Sequence, residues 1–379
     1  MSVRWVPVAE VLRLHRRTVE VEPTRTYAEI GVRSFGRGLF HKDAIDGVSL
    51  GAKRVFEIDP GDLVVSNVFA WEGAVAVASE GEKGMIGSHR FMTWRPMSGE
   101  AGADFIAHYL LSDHGLEQLR RASPGSAGRN RTLGIAAFEN LRIPLPGRDE
   151  ELRIAARLDR IRDAAGLLSA PVHITELERA VWKAASGAPT RPMGSSVHQV
   201  SRPISTVGDT SYRMLGVRWY GEGLFVRTVL RGDEVAASTV YRVEPGDIVY
   251  NRLFAWKGSF ATATDEHAGA VVSNEFPCFR VTDPHVMPEF VSAWLRRPEV
   301  WDEVGAQSTG STPTSRNRFK VDRFLGLEVP VLEAAEQSRI VSALTAVRSL
   351  RKLASERQSL AGALLPAARN EEFSRLINS

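Results

Sequence analysis

The chain has 379 residues, of which 43% are hydrophobic and 25% charged. This composition is that of an ordinary globular protein, so it excludes wholesale disorder, and the length suffices for two or three domains. A single cysteine, Cys278, excludes a disulfide framework and a cysteine-rich zinc site within the chain. No apolar run approaches the roughly 20 residues that span a bilayer, and the first residues lack the apolar core of a signal peptide. We therefore expect a cytoplasmic protein with no membrane partner.

The net charge of +3 is only mildly basic, so it neither proves nor excludes nucleic-acid binding. Of the 48 basic residues, 7 are lysine and 41 are arginine. The planar guanidinium suits phosphate groups and guanine edges. A genome that favours arginine codons explains the same excess, so the arginine content decides nothing by itself.

An internal repeat is the strongest pattern in the sequence. Residues 31–40 are GVRSFGRGLF, and 185 positions later residues 216–225 are GVRWYGEGLF. The same offset aligns two further pairs of motifs, PGDLV (60–64) with PGDIV (245–249) and FAWEG (69–73) with FAWKG (254–258). One register maintained over so many residues indicates a tandem duplication.

Each copy contains the same order of predicted elements. Short β-strands bounded by Gly, Pro and Asp come first, then a short helix, a polar loop rich in Arg and Asn, a proline-containing strand and a long helix. The predicted strands include 63–65, 74–78 and 271–272, the short helices are 104–111 and 289–295, and the proline-containing segments are 143–146 and 329–332.

The long helices carry apolar residues at heptad spacing. The first is predicted over 150–169, and Pro171 should break or kink it before a second helical segment at 174–185. The last helix is predicted from Glu333 to about Leu365. Because the two helices are related and similar in length, we expect them to pair in antiparallel orientation. The predicted helix-pair interface is Ile154, Leu158, Ile161 and Leu168 with Ile340, Leu344 and Val347.

These patterns predict an α+β fold with two tandem, duplicated β-rich domains. Long helices separate and follow them and pair as an antiparallel, coiled-coil-like stem. The predicted boundaries are 1–147 for the first β-rich domain, 148–188 for the first helical region, 189–332 for the second domain and 333–379 for the second helical region.

Motifs for catalysis are missing from the sequence. It contains no GxxxxGK[ST] phosphate loop, no GxGxxG turn and no metal-ligand spacing among its nine histidines. Cys278 lies in the apolar run FPCFRV, which is typical of a buried structural thiol. No Asp/Asn-Pro-Pro-Tyr/Phe motif of amino-methyltransferases is present, and no nuclease cluster of acidic residues and lysine is evident. We therefore expect a chain that is not an enzyme and holds no metal or cofactor of its own.

The order of these motifs resembles the specificity subunit of type I restriction–modification systems. The polar loops before IPLP and VPVL also fit. The matching segments are SNVFAWEG (66–73), YNRLFAWKG (250–258), EELRIAARLDRI (150–161), AEQSRIVSALTAV (335–347) and ALLPAARNEEFS (363–374). The resemblance covers nearly the whole chain. Two features depart from it: Pro171 interrupts the first helical region, and lysine is scarce where phosphate contacts are expected.

The resemblance implies a role in phage defence, with two target-recognition domains that each recognise one half of a bipartite, asymmetric DNA site. The helices would set the spacing and dock methyltransferase subunits. The implied partners are double-stranded DNA, two methyltransferase subunits and restriction/translocase subunits. S-adenosylmethionine, ATP and magnesium would belong to those subunits, as would catalysis.

Two other classes of protein remain open. One is a nucleic-acid adaptor of another defence complex, which a split DNA motif would distinguish. The other is a duplicated β-rich protein-interaction scaffold, which would show no salt-dependent affinity for DNA.

The candidate DNA contacts lie in the repeated motifs. Arg33 and Arg218 either contact DNA or brace a turn by bonding carbonyl groups. Asn251, Arg252 and Lys257 flank an aromatic pair, and Arg can bond guanine as Asn can bond adenine. The full set is Arg33, Asn67, Arg129, Asn130, Arg131, Arg218, Asn251, Arg252, Lys257, Arg316, Asn317 and Arg318.

Within the retained motifs the two copies differ at a few positions. Glu72 of the first copy corresponds to Lys257, and Arg37 corresponds to Glu222. Differences inside a common framework are expected where two domains prefer different bases. The first helix of about 20 residues would span ~30 Å, which is close to the ~34 Å turn of B-DNA that separates half-sites on one face.

Overall fold

The chain forms two compact units in the computed structural model, which describes residues 3–97, 102–125, 131–308 and 317–378. The first unit combines Met1–Pro171 with Ala354–Ser379, and the second is Val172–Leu353. Each predicted β-rich domain lies within one unit. Each predicted helical region, in contrast, is divided between the two units.

The first unit is a mixture of short strands and helices. Its strands are β1 (Arg4–Pro7), β2 (Leu12–Leu14), β3 (Arg17–Thr18), β4 (Thr26–Tyr27), β5 (Ile30–Val32), β6 (Leu39–His41), β7 (Ile45–Asp46), β8 (Val55–Glu57), β9 (Leu63–Ser66), β10 (Val75–Val77), β11 (Ile86–Ser88), β12 (Phe91–Pro96) and β13 (Arg142–Leu145). Its helices are α1 (Val8–Val11), α2 (Gly47–Leu50), α3 (Ala103–Leu110), α4 (Asp113–Ala122), α5 (Ile135–Glu139) and α6 (Arg148–Leu168), with 3₁₀ turns at Ala70–Glu72 and Glu80–Glu82.

The second unit repeats this succession. Its strands are β14 (Thr190–Pro192), β15 (Val197–Val200), β16 (Pro203–Ser205), β17 (Ser211–Val217), β18 (Leu224–Arg231), β19 (Thr239–Arg242), β20 (Ile248–Tyr250), β21 (Phe260–Thr262), β22 (Val271–Val272), β23 (Cys278–Val281) and β24 (Glu328–Pro330). Its helices are α7 (Ile174–Lys183), α8 (Pro288–Trp294), α9 (Pro298–Gln307) and α10 (Val321–Leu325), with 3₁₀ turns at Met193–Ser195, Ala255–Lys257 and Asp265–His267. Helix α11 (Ala334–Ile377) begins in this unit and ends in the first.

The central sheets show that the repeat extends to topology. In the first unit the order is β10-β9-β12-β2, and in the second the corresponding strands are ordered β21-β20-β23-β15. All of these neighbours are antiparallel. Strands β9 and β20 are buried throughout, as their continuous apolar sequences predict. The strands predicted at 63–65, 74–78 and 271–272 are confirmed as β9, β10 and β22. The short helices predicted at 104–111 and 289–295 are confirmed as α3 and α8.

Helix α6 packs within the first unit against the C-terminal part of α11. Ile154 and Leu158 share one hydrophobic cluster with Phe373 and Leu376. Arg157 forms an ion pair with Glu372. The other end of α6 adjoins an earlier part of α11, where the Arg357 guanidinium donates to the Ala170 carbonyl at 2.7 Å. The two segments are therefore antiparallel.

The start of α11 packs instead against α7 in the second unit. Ile340 and Leu344 belong to a cluster against which Val181 and Trp182 pack. Arg351 and Glu178 form an ion pair of 2.9 Å.

The predicted packing of Ile154 and Leu158 against Ile340 and Leu344 is therefore wrong. Ile154 and Leu158 lie in one hydrophobic cluster, and Ile340 and Leu344 lie in another. Leu168 is 46% exposed, and Ile161 is only partly buried. Val347 is buried but belongs to neither cluster. A heptad pattern shows which face of a helix is apolar, but it does not show which segment covers that face.

Two prolines have opposite effects on the helices. Pro171 separates α6 from α7, as predicted. Pro366 lies inside α11, which continues well beyond the predicted end near Leu365. Phe373, fully buried in the first unit, anchors the extension. Tertiary packing therefore outweighs the hydrogen bond that proline removes.

A buried carboxylate in the Pro-Gly-Asp turn binds two arginines in each unit. Asp62 has no exposed surface, and it accepts hydrogen bonds from Arg95 Nε at 2.7 Å, from the Asp59 amide at 2.9 Å and from Arg17. The turn motif thus ties β9 to β3 and β12, which carry the two arginines.

The second unit repeats this cluster with the equivalent residues. Asp247 is equally buried and accepts from Arg202 at 2.6 Å, from Arg280 Nε at 3.2 Å and from the Glu244 amide at 2.8 Å. Its carboxylate raises the pKa of Arg202. Because a buried charge is tolerated only when it is paired, the turn cannot lose this carboxylate without a large cost.

A buried hydrogen-bond chain joins three helices of the first unit. Arg369 Nε on α11 donates to His108 Nδ1 at 3.0 Å, and His108 Nε2 lies 3.0 Å from Asp159 on α6. Since Nδ1 accepts, Nε2 carries the proton and the imidazole is neutral. Burial lowers the pKa of His108; the Asp159 hydrogen bond opposes this, and the charge of Arg369 reinforces it.

We predict that Asp62→Asn and Asp247→Asn each destabilise their own unit by about 3–5 kcal/mol, because two arginines lose their buried partner. Asp163→Asn is the matched control, because Asp163 is 69% exposed and pairs only with Arg162 at the surface; its loss should cost less than about 1 kcal/mol. Urea unfolding measures both effects. A small effect of Asp62→Asn would contradict a structural role for the carboxylate.

We also predict that acid weakens the first unit through His108. The folded state holds this histidine neutral, while the unfolded state binds a proton near pH ~6.5. The unfolded state then binds more protons, so stability falls as the pH drops below that value. In His108→Gln the decrease between about pH 7 and pH 5 should be smaller. His114→Gln, at an exposed position of α4, should retain the wild-type slope, and equal slopes in all three proteins would refute the assignment.

Candidate nucleic-acid interface

The candidate interface is built on the turn that follows the buried central strand. In the first unit β9 leads into the 3₁₀ turn Ala70–Glu72, and in the second β20 leads into Ala255–Lys257. Ala70 and Ala255 are fully buried and anchor these turns. The Trp71 indole N–H donates to the Val68 carbonyl at 3.0 Å. Trp256 makes the equivalent bond at 3.1 Å, so both indole N–H groups hold the turn itself.

A hairpin lies beside each turn, and its glycine explains the repeated GVR…GLF pattern. A Cβ on Gly31 would lie 2.2 Å from the Phe40 ring, so only glycine lets this ring cross the neighbouring strand. The Arg33 guanidinium stacks on the same Phe40 ring, 4.9 Å from the ring centre. It also donates a hydrogen bond to the Leu39 carbonyl at 3.0 Å.

Arg218 repeats this arrangement, 4.7 Å from the Phe225 ring and 3.5 Å from the Leu224 carbonyl. Of the two interpretations that the sequence left open for Arg33 and Arg218, bracing of the hairpin is the one that the structure displays. A DNA contact by either arginine stays a prediction.

The hairpin tip is bonded to the turn in the same way in both units. In the first, the Phe35 amide donates to the Glu72 carbonyl at 2.7 Å; in the second, the Tyr220 amide donates to the Lys257 carbonyl at 2.7 Å. Phe35 and Tyr220 have positive φ angles of 62° and 57°. A bulky residue in this conformation is strained, and such strain concentrates at functional sites.

This backbone arrangement presents a large aromatic side chain to solvent. Phe35 is 68% exposed and Tyr220 is 61% exposed. An exposed aromatic ring on a strained but firmly bonded backbone is well suited to stacking or wedging against a base. Sequence analysis missed both residues, although their position between two glycine-rich turns of the repeat was a usable signal.

The side chains beside the aromatic differ between the units, and the two differences compensate each other. In the first unit the Ser34 hydroxyl donates to Glu72 at 2.8 Å. In the second unit the corresponding residues are Trp219 and Lys257, and the Lys257 ammonium lies 3.8 Å from the Trp219 ring centre. A hydrogen bond is thus replaced by a cation–π contact. We call residues 34, 35 and 72, and their counterparts 219, 220 and 257, the tip surface of each unit.

Asn67 and Arg252 occupy equivalent positions at the start of the turn, and their backbones make equivalent hydrogen bonds. The Asn67 carbonyl accepts from Leu133 at 2.7 Å, and the Arg252 carbonyl accepts from Phe319 at 2.8 Å. Their side chains retain unused capacity, because Asn67 Oδ1 and Arg252 Nε are buried without a hydrogen-bond partner in the described part of the chain. Arg252 also lines a small cleft of about 260 Å³ with Asn274.

The remaining described candidates are partly engaged within the protein. The Asn251 carboxamide accepts from the Leu253 amide at 2.9 Å and shapes the turn. Arg131 lies 5.0 Å from the Trp71 ring. Arg318 is ion-paired with Glu275, and Asn317 is half-buried beside it. Arg129, Asn130 and Arg316 lie outside the described residues.

The site holds groups for binding and none suited to nucleophilic or metal chemistry in the described ranges. Cys278 is 4% exposed on β23, and burial raises the pKa of its thiol to about 12, so it is protonated at neutral pH. The prediction of a buried structural thiol is confirmed. Within the described residues no three His, Cys, Asp or Glu side chains are grouped as metal ligands would be. No described helix is long and apolar enough to cross a membrane.

Comparison with known proteins identifies the fold. No protein-family model and no curated protein matches the sequence. The structure is similar to the HsdS subunit from Thermoanaerobacter tengcongensis, with a TM-score of 0.52 and 19% identity over 97% of this chain and 96% of that one. It is also similar to the type I restriction–modification S subunit from M. genitalium, with a TM-score of 0.52 and 12% identity over 97% and 96% of the two chains.

A further match is a chain from a structure that describes complex assembly and conformational transition of a type I restriction–modification system. Its TM-score is 0.62, with 18% identity over 97% of each chain. The protein therefore has the fold of type I restriction–modification specificity subunits. The resemblance inferred from the motifs is confirmed at the level of the fold.

Proposed function

We propose that this chain is the DNA specificity subunit of a type I restriction–modification complex, with the tip surface of each unit recognising one half of a bipartite DNA site. One observation carries the proposal most directly. Two units share a backbone frame, yet they present different side chains from it, as Glu72 and Lys257 show. The shared fold with specificity subunits over almost the full chain supports the same conclusion.

The chemistry of the two tip surfaces favours different base pairs. A carboxylate such as Glu72 accepts a hydrogen bond from the amino group of cytosine, while an ammonium such as Lys257 donates to the O6 and N7 atoms of guanine. Phe35 and Tyr220 supply exposed rings for contact with base or sugar. Two unlike surfaces in one chain would therefore recognise an asymmetric site.

Arginines near each tip surface would supply phosphate contacts. Arg131 lies in the first unit, and Arg318 lies in the second. Phosphate contacts fix register and orientation, while contacts to base edges determine sequence preference. We assign Arg252 a base-contacting role, because its side chain lines a cleft beside the turn.

The chain would act without catalytic groups of its own. Methyltransferase and restriction/translocase subunits would bind S-adenosylmethionine, ATP and magnesium and perform methylation and cleavage. This chain would contribute the DNA sequence preference and the geometry of assembly.

Helix α11 offers a surface for docking the methyltransferase subunits. In its part within the first unit, Leu360 and Leu364 are exposed. Their spacing of four residues places them on one side of the helix. Leu158 and Leu344, in contrast, are buried in the two units, so their replacement would test folding and not docking.

We predict that Leu360→Glu with Leu364→Glu greatly reduces co-purification with the methyltransferase encoded beside this chain, because charges replace apolar contact area. Both side chains are exposed, at 70% and 44%, so the melting temperature of the free chain should stay unchanged. Val48→Glu, at a 73% exposed position of α2, is the control and should co-purify normally. Full co-purification of the double variant would argue against docking on this helix.

We predict that exchanging the tip residues alters the recognition of one half-site only. Trp219→Ser with Lys257→Glu gives the second unit two of the three tip residues of the first and retains Tyr220. The binding free energy for the wild-type DNA site should become less favourable by about 1–3 kcal/mol. Competition binding with duplexes altered in one half at a time measures the base preference of each half. Arg339→Ala, on an exposed part of α11, should leave both preferences unchanged.

The outcome of the exchange distinguishes the candidate functions. A changed preference in one half supports the proposal. An unchanged preference in both halves would exclude the tip surface as the recognition element. The absence of any salt-dependent DNA affinity would favour a protein-interaction scaffold.

A further inference from the structure

A cavity of about 710 Å³ lies within the second unit. Side chains from α7, from the tip of the β17–β18 hairpin, from α9 and the segment before it, and from the first part of α11 line it. Six basic and three acidic residues contribute to the lining, so its net charge is positive. Cavities of roughly 300–1,000 Å³ accept small organic ligands, and a mononucleotide falls within this range.

Two guanidinium groups in this cavity have no carboxylate of their own in the described part of the chain. Arg296 Nε is buried without a hydrogen-bond partner. Burial and the nearby charge of Arg348 lower the pKa of Arg296 to about 10. Burial also lowers the pKa of Arg348, although Glu178 opposes the effect. Glu178 is already ion-paired with Arg351 at 2.9 Å, so an anion between Arg296 and Arg348 would relieve their repulsion.

Aromatic rings stand next to these cations. The Tyr220 ring lies 6.1 Å from the Trp301 ring, and both residues line the cavity. Gly221 brings the hairpin tip directly against an arginine, because a Cβ on this residue would lie 2.8 Å from Arg296 Cγ. A ligand with a flat ring and an anionic group would contact both kinds of side chain at once.

The first unit has only one of these two arginines, because Arg296 corresponds to Leu111 in the repeat, and it neutralises the other internally. Arg162, the counterpart of Arg348 in the repeat, is ion-paired with Asp159 at 2.6 Å. His108, the counterpart of Ala293, bonds both Asp159 and Arg369. In the second unit the smaller Ala293 side chain replaces this histidine and lines the cavity. This smaller side chain therefore contributes to the cavity of the second unit.

We infer that the cavity binds a mononucleotide, with its phosphates at Arg296 and Arg348 and its ring against Tyr220 and Trp301. This inference goes beyond DNA recognition, although Tyr220 belongs to the tip surface as well. A bound nucleotide would fix the position of the Tyr220 ring and so affect the second tip surface. Binding is tested without DNA, so its failure would leave the proposed recognition of DNA untouched.

The test is calorimetric titration of the full chain with ADP, inorganic phosphate and adenosine. ADP should bind, phosphate should bind more weakly, and adenosine should not bind measurably, because the cations supply most of the attraction. Arg296→Gln and Arg348→Gln should each weaken ADP binding about tenfold or more, since each removes a charge-assisted hydrogen bond. Arg162→Gln is the matched control at the equivalent position of the first unit and should bind ADP as the wild type does.

Two results would overturn the inference. One is no heat of binding with ADP at millimolar concentration while the chain is folded by thermal melting. The other is equal binding of ADP by the wild type and Arg348→Gln. Equal affinity for phosphate and ADP would overturn the assignment of the ring to Tyr220 and Trp301. A melting temperature of Arg348→Gln close to that of the wild type separates loss of binding from loss of folding.

Discussion

The buried carboxylate of the Pro-Gly-Asp turn is the interaction on which the tip surface of each unit depends. Asp62 sits immediately before β9, and it binds Arg95 on β12 of the same sheet and Arg17 on β3 of another sheet. The far end of the same strand carries the turn that bonds the hairpin tip. Since the carboxylate is buried and paired with both arginines, it fixes the start of β9 relative to β3 and β12. Asp247 repeats the arrangement, so both units present their turns from the same frame.

Duplication of this frame separates stability from specificity. Buried residues such as Ala70 and the backbone bonds between tip and turn are the same in both units. The side chains that face solvent differ in a concerted way, because Ser34 with Glu72 is replaced by Trp219 with Lys257. Substitutions at exposed positions cost little folding free energy. Such a surface can change its side chains while the fold is maintained, as the proposed recognition of two unlike half-sites requires.

Much of the fold was predictable from local signals. The repeat register, the buried strand β9 and the break at Pro171 follow from periodicity and turn chemistry. The partners of buried groups were not predictable, because Arg17 is 45 positions from Asp62 and no local pattern joins them. The heptad seam did not show that Phe373 covers α6. For Arg33, bracing of the hairpin and contact with DNA both require an arginine, so the sequence could not choose between them. The structure shows the bracing contacts with Leu39 and Phe40.

The central claim is that one chain carries two unlike DNA-recognition surfaces. Selection of bound sequences from random duplex DNA, with the chain co-purified with its methyltransferase, tests it most directly. We expect two short, different sequence blocks separated by a fixed gap. A folded complex that enriches no sequence at low salt, or that enriches two identical blocks in a palindrome, would contradict it.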